Sequence, residues 1–98
     1  MKVSWSPESL NRLIEIEAFI AEDNASKAIE FTDYIVSKSS IIMENPEIGR
    51  VVPEFSDPKL RELILKGYRM VYRIGENRIE ILTVFEGHRQ IRKSEIIK

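Results

Sequence analysis

The chain has no cysteine, a single histidine, a single tryptophan and only four glycines among its 98 residues. Without cysteine there is no disulfide framework, no thiolate metal site and no thiol nucleophile, a composition that suits a reducing compartment. One histidine rules out a multi-histidine metal cluster. The glycines, at positions 49, 67, 75 and 87, form no phosphate-cradling loop, and no serine sits in a nucleophile elbow. No stretch approaches the roughly 18 apolar residues of a membrane helix, and the start, Met1-Lys2-Val3-Ser4-Trp5, lacks an apolar signal region. A cytoplasmic protein is expected, with no metal, no cofactor and no membrane contact. A chain of this length buries about two thirds of its unfolded surface, enough for one core, so residues 1–98 are read as a single domain.

What is present is charge, and it is unevenly spread. Residues 1–49 carry four basic side chains against nine acidic ones, whereas residues 50–98 carry eleven basic against seven acidic. The halves nearly cancel to a net charge of -1. Arginine dominates the basic half, and its planar guanidinium suits phosphate, carboxylate or an acidic partner segment.

Periodicity divides the chain into elements. Residues 2–5 alternate as a short strand. Ser6-Pro7-Glu8 announces a helix, with Ser6 as cap, Pro7 at the first helical position and Glu8 at the positive end of the dipole. The helix runs to about Glu22, with Leu10, Leu13, Ile14, Ile16, Ile20 and Ala21 as a broad buried stripe. Asn24 caps a second helix over residues 25–43, seamed by Ala28, Phe31, Ile35 and Ile42, and Asn45-Pro46 stops it. The short connection folds the two helices into an antiparallel hairpin.

Beyond Gly49 the period falls to two. Residues 50–52 are a candidate short strand, and residues 60–66, 68–74 and 78–85 read as three more, the last two joined by Gly75-Glu76-Asn77. Met70, Tyr72 and Ile74 are expected to face the helices. The opposite face is expected to carry the arginines, with Glu80 across the ladder as a partner. The basic tail from Gly87 offers Ile91, Ile96 and Ile97 for a last helical turn or for pairing with a partner. The order β-α-α-β-β-β makes this an α+β domain, with an N-terminal helical hairpin packed on one face of a mostly antiparallel sheet.

One set of side chains has the makings of a metal-free RNA-cleaving site. Glu54, Arg61, Arg69 and His88 would supply a base for the ribose 2′-hydroxyl, cations for the phosphate and an acid for the leaving oxygen. Against this stands the ordinary alternative of an exposed glutamate and a solvated histidine. Trp5, Tyr68 and Tyr72 could stack on bases, although aromatics on strands are more often core.

The ordered set Trp5-Ser6-Pro7, Asn45-Pro46-Glu47-Ile48-Gly49-Arg50, Val52-Pro53-Glu54, Leu60-Arg61-Glu62-Leu63, Tyr68-Arg69-Met70-Val71-Tyr72-Arg73, Ile79-Glu80-Ile81-Leu82-Thr83-Val84-Phe85 and Gly87-His88-Arg89 resembles the RelE/ParE superfamily of bacterial type II toxins. The resemblance implies the RelE/ParE-like fold and a growth-inhibiting toxin neutralised by a cognate antitoxin that wraps its hairpin and sheet. Members of this kind serve plasmid stabilization.

Two branches share the fold. ParE-like members poison DNA gyrase and are not enzymes; RelE-like members enter the ribosome and cut messenger RNA. The long hairpin and the net charge of -1 favour the ParE-like branch, because a protein seeking ribosomal RNA is usually strongly basic. Under that reading Arg61, Arg69, Arg73, Arg89 and Arg92 form the surface for target or antitoxin. Under the RelE-like alternative Glu54, Arg69 and His88 match catalytic positions of the YoeB type, with Arg89 where that type has its final tyrosine. A degenerate, non-toxic relative is the third reading, and a homodimer of the free protein is among the expected states.

Overall fold

The computed structural model describes residues 1–92 and residue 96. Strand β1 (Lys2–Trp5) leads into helices α1 (Pro7–Ala21) and α2 (Ala25–Glu44), a 3-10 turn (Pro46–Ile48), and strands β2 (Arg50–Val51), β3 (Leu60–Leu65), β4 (Tyr68–Ile74) and β5 (Arg78–Glu86). The sheet order is β1-β5-β4-β3-β2, antiparallel throughout except for the parallel β1–β5 pair. The expected α+β architecture is what the chain forms, and the candidate strand after Gly49 exists as the two residues of β2. Element ends move by a single residue from the sequence reading, the usual ambiguity of fraying ends. Among the described residues no helix is long and apolar enough to cross a membrane.

Local chemistry sets the boundaries. The Ser6 hydroxyl accepts the Ser9 amide at the start of α1 and donates to the Leu82 carbonyl, and the Ser6 amide donates to the Ile81 carbonyl. One serine thus caps the helix and ties it to β5. Asn24 Oδ1 accepts from the Lys27 amide and starts α2. The β3–β4 connection is the pair Lys66-Gly67, both at positive φ, as a tight hairpin requires. In the following hairpin it is Asn77 that takes the left-handed conformation.

A core of Leu13, Phe31, Ile35, Ile42, Met70, Tyr72, Ile79, Ile81 and their neighbours lies between helices and sheet. Here the structure departs from the sequence reading in two ways. First, Leu10, Ile14 and Ala21 are exposed, as are Ile29 and Met43 on α2. The hairpin covers the sheet from one side only, so each helix buries a narrow stripe and leaves its outer flank open. Second, the far face of the sheet is not a solvated arginine surface. Val52, Leu60, Val71, Leu82, Phe85 and Ile91 make a second apolar cluster there, with Ile96 against it. A bulge contributes: Val71 pairs with Thr83 but Tyr72 pairs with Ile81, so Leu82 is the extra residue and the alternation changes phase beyond it, with Val84 on the helix side and Phe85 in the far cluster. The tail expectation is met in part by buried Ile91; Ile97 and the remainder of the proposed last turn lie outside the described residues.

Tyr72 joins the sheet to the end of the hairpin. Its hydroxyl donates to the Pro46 carbonyl at 2.6 Å and accepts the Gly49 amide at 3.0 Å. A Cβ on Gly49 would lie 2.6 Å from the Glu62 carbonyl oxygen and 2.7 Å from the Tyr72 hydroxyl, so only glycine fits.

Candidate functional site

The far face of the sheet holds a buried ionic network. Arg69 on β4 stands opposite Ile64 in register, which places Glu62, two residues along β3, on its diagonal. Arg69 Nε donates to Glu62 Oε1 at 2.6 Å, and Arg50 Nε donates to Glu62 Oε2 at 2.6 Å. On the other side Arg69 meets Glu54 in a bidentate pair, with Nη1 to Oε2 at 2.8 Å and Nη2 to Oε1 at 2.7 Å. Arg69 Nη1 also reaches the Arg89 carbonyl at 3.0 Å, while the Ile91 amide donates to Glu54 Oε2 at 3.2 Å. The pair therefore fastens the C-terminal segment to the sheet. The guanidinium groups of Arg69 and Arg89 lie 5.0 and 5.2 Å from the centre of the Phe85 ring.

These contacts set the electrostatics. The hydrogen bonds from Arg69 hold the Glu54 carboxyl at about 2, against burial that would raise it, and the Ile91 amide assists. Arg69 is raised in turn, first by its bonds to Glu54 and then by Glu62, again against burial. Burial pushes the Tyr72 phenol up, partly offset by the Gly49 amide. A carboxylate near 2 has little appetite for a proton at neutral pH, and both of its oxygens are occupied.

The structure brings some expected residues together and separates others. Glu54, Arg69 and His88 line one open depression of about 460 Å³, together with Arg50 and Gln90. His88 is 84% exposed, with Nε2 3.3 Å from the Glu86 carboxylate. Arg61 lies elsewhere: its Nε donates to the Pro58 carbonyl and its Nη1 to those of Gly49 and Glu47, strapping two loops to β3.

Of the arginines expected to form a binding surface, Arg69 is buried and turned into the ionic network rather than presented. Arg73 is half-buried opposite Glu80 in register, Arg89 is half-buried against Phe85, and Arg92 is exposed. Sequence reasoning missed Glu62 and Arg50. Glu62 is completely buried inside a strand of apolar neighbours, and that position, one strand away from Arg69, was the available signal. A second depression of about 360 Å³ runs between α1 and the ends of β4 and β5, floored by Ile16, Tyr68 and Val84, with Phe19 and Arg12 at its side.

Three comparisons bear on this chain. Residues 3–91 match the model of the ParE toxin of the type II toxin–antitoxin system parDE. "Putative toxin Y4kP" of Sinorhizobium fredii is 34% identical over 91 residues, which cover 91% of each chain. Among solved structures, a chain of the chromosomal ParDE TA system from P. aeruginosa superposes with a TM-score of 0.72 at 20% identity, covering 88% of this chain and 95% of that one. At that identity the superposition speaks for the fold.

Proposed function

The chain belongs to the ParE toxin family of type II toxin–antitoxin systems, and on that premise we propose that it arrests growth by binding and poisoning DNA gyrase, without catalysis of its own. Its partner in the cell is a cognate antitoxin. The observation that carries the non-enzymatic reading is the bidentate pairing of Glu54 with Arg69. Glu54 is held near 2 with both oxygens bonded, and Arg69 gives its Nε, Nη1 and Nη2 to two carboxylates and a carbonyl. Glu54 is thus poorly disposed to take a proton from a ribose hydroxyl, and four of the five Arg69 N–H donors are spent within the network rather than on a phosphate. The binding reading then falls on the rims around this network: Arg50, Arg73, Arg89 and Arg92, with an acidic and apolar segment of the antitoxin as the complementary chemistry.

The ribosome-dependent endoribonuclease is the second reading, and the observation in its favour is that Glu54, Arg69 and His88 share one depression. Pulse incorporation of labelled thymidine and labelled methionine, in bacteria expressing the toxin without its antitoxin, separates the two. DNA synthesis halting first is the expected result. Protein synthesis halting first, with cleavage lost in Glu54→Ala and His88→Ala, would overturn the gyrase reading.

A further inference from the structure

The flank of α1 turned away from α2 carries an uncovered aromatic ring beside a depression. Glu17 accepts from the Thr32 hydroxyl and so marks the side of α1 that meets α2. Arg12, Glu15, Ile16 and Phe19 follow one another at i, i+3, i+4 and i+7, and share the flank that faces the other way. Phe19 is 69% exposed, more than any other large apolar side chain among the described residues. Next to it lies the depression of about 360 Å³ between α1 and the ends of β4 and β5, with Ile16, Tyr68, Val84 and Phe85 as its apolar lining. That volume is enough for a compact apolar group. Phe19 stands at the side of the depression, so one surface presents both a ring and a place for a ring.

The rim carries both signs. Arg12 and Arg89 supply two positive charges, and Glu15 and Glu86 two negative ones. Arg12 is fixed in place by its Nε bond to Glu8 at 3.0 Å, whereas Glu15 is exposed and has no ion-pair partner among the described residues. An anionic ligand or membrane surface would meet Glu15 and Glu86, and a cationic one would meet Arg12 and Arg89, so the rim selects neither sign. What it does fit is a surface bearing the same charges after a half-turn.

We propose that this flank is a self-association surface, on which two copies of the chain pair about a twofold axis and each places its Phe19 ring in the depression of the other. The two α1 helices then run antiparallel, with the axis near Glu15. Phe19 lies seven residues from Arg12, about 10.5 Å along the helix, so each ring comes over the partner's Arg12, where a guanidinium and a ring attract. Glu15 comes about one turn from the same arginine. Burying two rings removes roughly 300–500 Å² from water, short of the roughly 1,200 Å² of a stable interface. The α1 flanks must supply the rest, and the dimer is a reversible one. This face is neither the outer flank of the hairpin nor the ionic network on the far side of the sheet, so the inference holds whichever target the toxin has.

Sedimentation equilibrium of the full chain over a wide concentration range is the test. A reversible monomer–dimer equilibrium is expected, weakened at least tenfold by Phe19→Ser and unchanged by Ile14→Ser, on the outer flank of the same helix. Both positions are exposed, so circular dichroism should show both variants folded. Charge variants give a second readout. Arg12→Glu and Glu15→Arg each leave a single sign at positions 12 and 15, so each should weaken its own dimer, and an equimolar mixture of the two should regain it as a heterodimer. A folding defect would not be rescued by mixing. A monomer at every concentration, a dimer untouched by Phe19→Ser or lost in Ile14→Ser, or charge variants that stay apart when mixed would overturn the proposal. None of these readouts depends on growth arrest, so the failure of the gyrase reading would leave them intact.

Discussion

Replacing Glu54 by glutamine tests the ionic network most directly. The carboxyl falls from 4.5 to about 2 on folding, and a tenfold change in proton affinity is worth about 1.4 kcal/mol. At neutral pH the pairing is therefore worth about 3 kcal/mol, reduced to about 2 by the 17% of the Glu54 side chain that water still reaches. Glutamine keeps one acceptor but puts an amide donor against the guanidinium, so the bidentate geometry is lost and Arg69 keeps only Glu62 as counter-ion. With a urea slope of about 1 kcal/mol per molar for a domain of this size, the midpoint should fall by roughly 2 M.

The pH dependence carries the sharper prediction. The folded-state value lies below the unfolded one, so the contribution is complete above about 4.5 and is lost as pH falls toward about 2. The difference in unfolding free energy between wild type and Glu54→Gln should be constant from pH 7 to 5, shrink below 4.5 and vanish near 2. Taking the difference removes the other carboxylates, which titrate in both proteins. Urea titrations at pH 7, 5, 4, 3 and 2 would provide the curve. A gap that stays constant from pH 5 to 2 would refute the account of Glu54 as an ion-paired carboxylate.

Other positions yield shorter predictions. Gly49→Ala should cost at least about 2 kcal/mol in urea unfolding, because the new methyl meets the Glu62 carbonyl and the Tyr72 hydroxyl well inside contact distance. Tyr72→Phe should cost about 1–2 kcal/mol by leaving the Gly49 amide and the Pro46 carbonyl unpaired. Thr83→Val should stabilise by up to about 1 kcal/mol, visible as a raised melting temperature, since the buried Thr83 hydroxyl has no hydrogen-bond partner among the described residues. Ser6→Ala should lower stability by about 1–2 kcal/mol and speed amide exchange at Ser9, because that hydroxyl both caps α1 and donates to Leu82.

Much of the fold was legible because local chemistry and period agree. Ser6-Pro7 and Asn24 announce helix starts, and the change from a helical period to alternation marks where the sheet begins. The far face was not legible for two physical reasons. Alternation from Ile79 and Ile81 assigns Phe85 to the helix side, and a bulge, which no periodic pattern encodes, moves it to the other. An arginine in a strand also looks the same whether it is solvated or paired. Arg69 is buried only because Glu54 and Glu62, respectively 15 and 7 residues away, arrive beside it. The site was half legible on the same terms: Glu54, Arg69 and His88 converge, while Arg61 is drawn off by carbonyls of the neighbouring loops.

This redistribution changes what the charge split means. The acidic half keeps most of its charge outside, on the exposed residues Glu22, Asp23, Glu30, Asp33, Glu44 and Glu47. In the basic half Arg69 is enclosed, Arg61 is tied to carbonyls and Arg50 gives its Nε to buried Glu62, while Lys59, Lys66, Arg78 and Arg92 stay exposed. The network therefore withdraws two positive and two negative charges together, and the surplus of the basic half survives on other side chains. Phosphate backbones are recognised by basic side chains that displace condensed counterions, and side chains already bonded to carboxylates or carbonyls are poor at it. Arg61 and Arg69, so bonded, are poor candidates for a phosphate contact, and a partner of either kind meets the exposed Lys59, Lys66, Arg78 and Arg92 before it meets them.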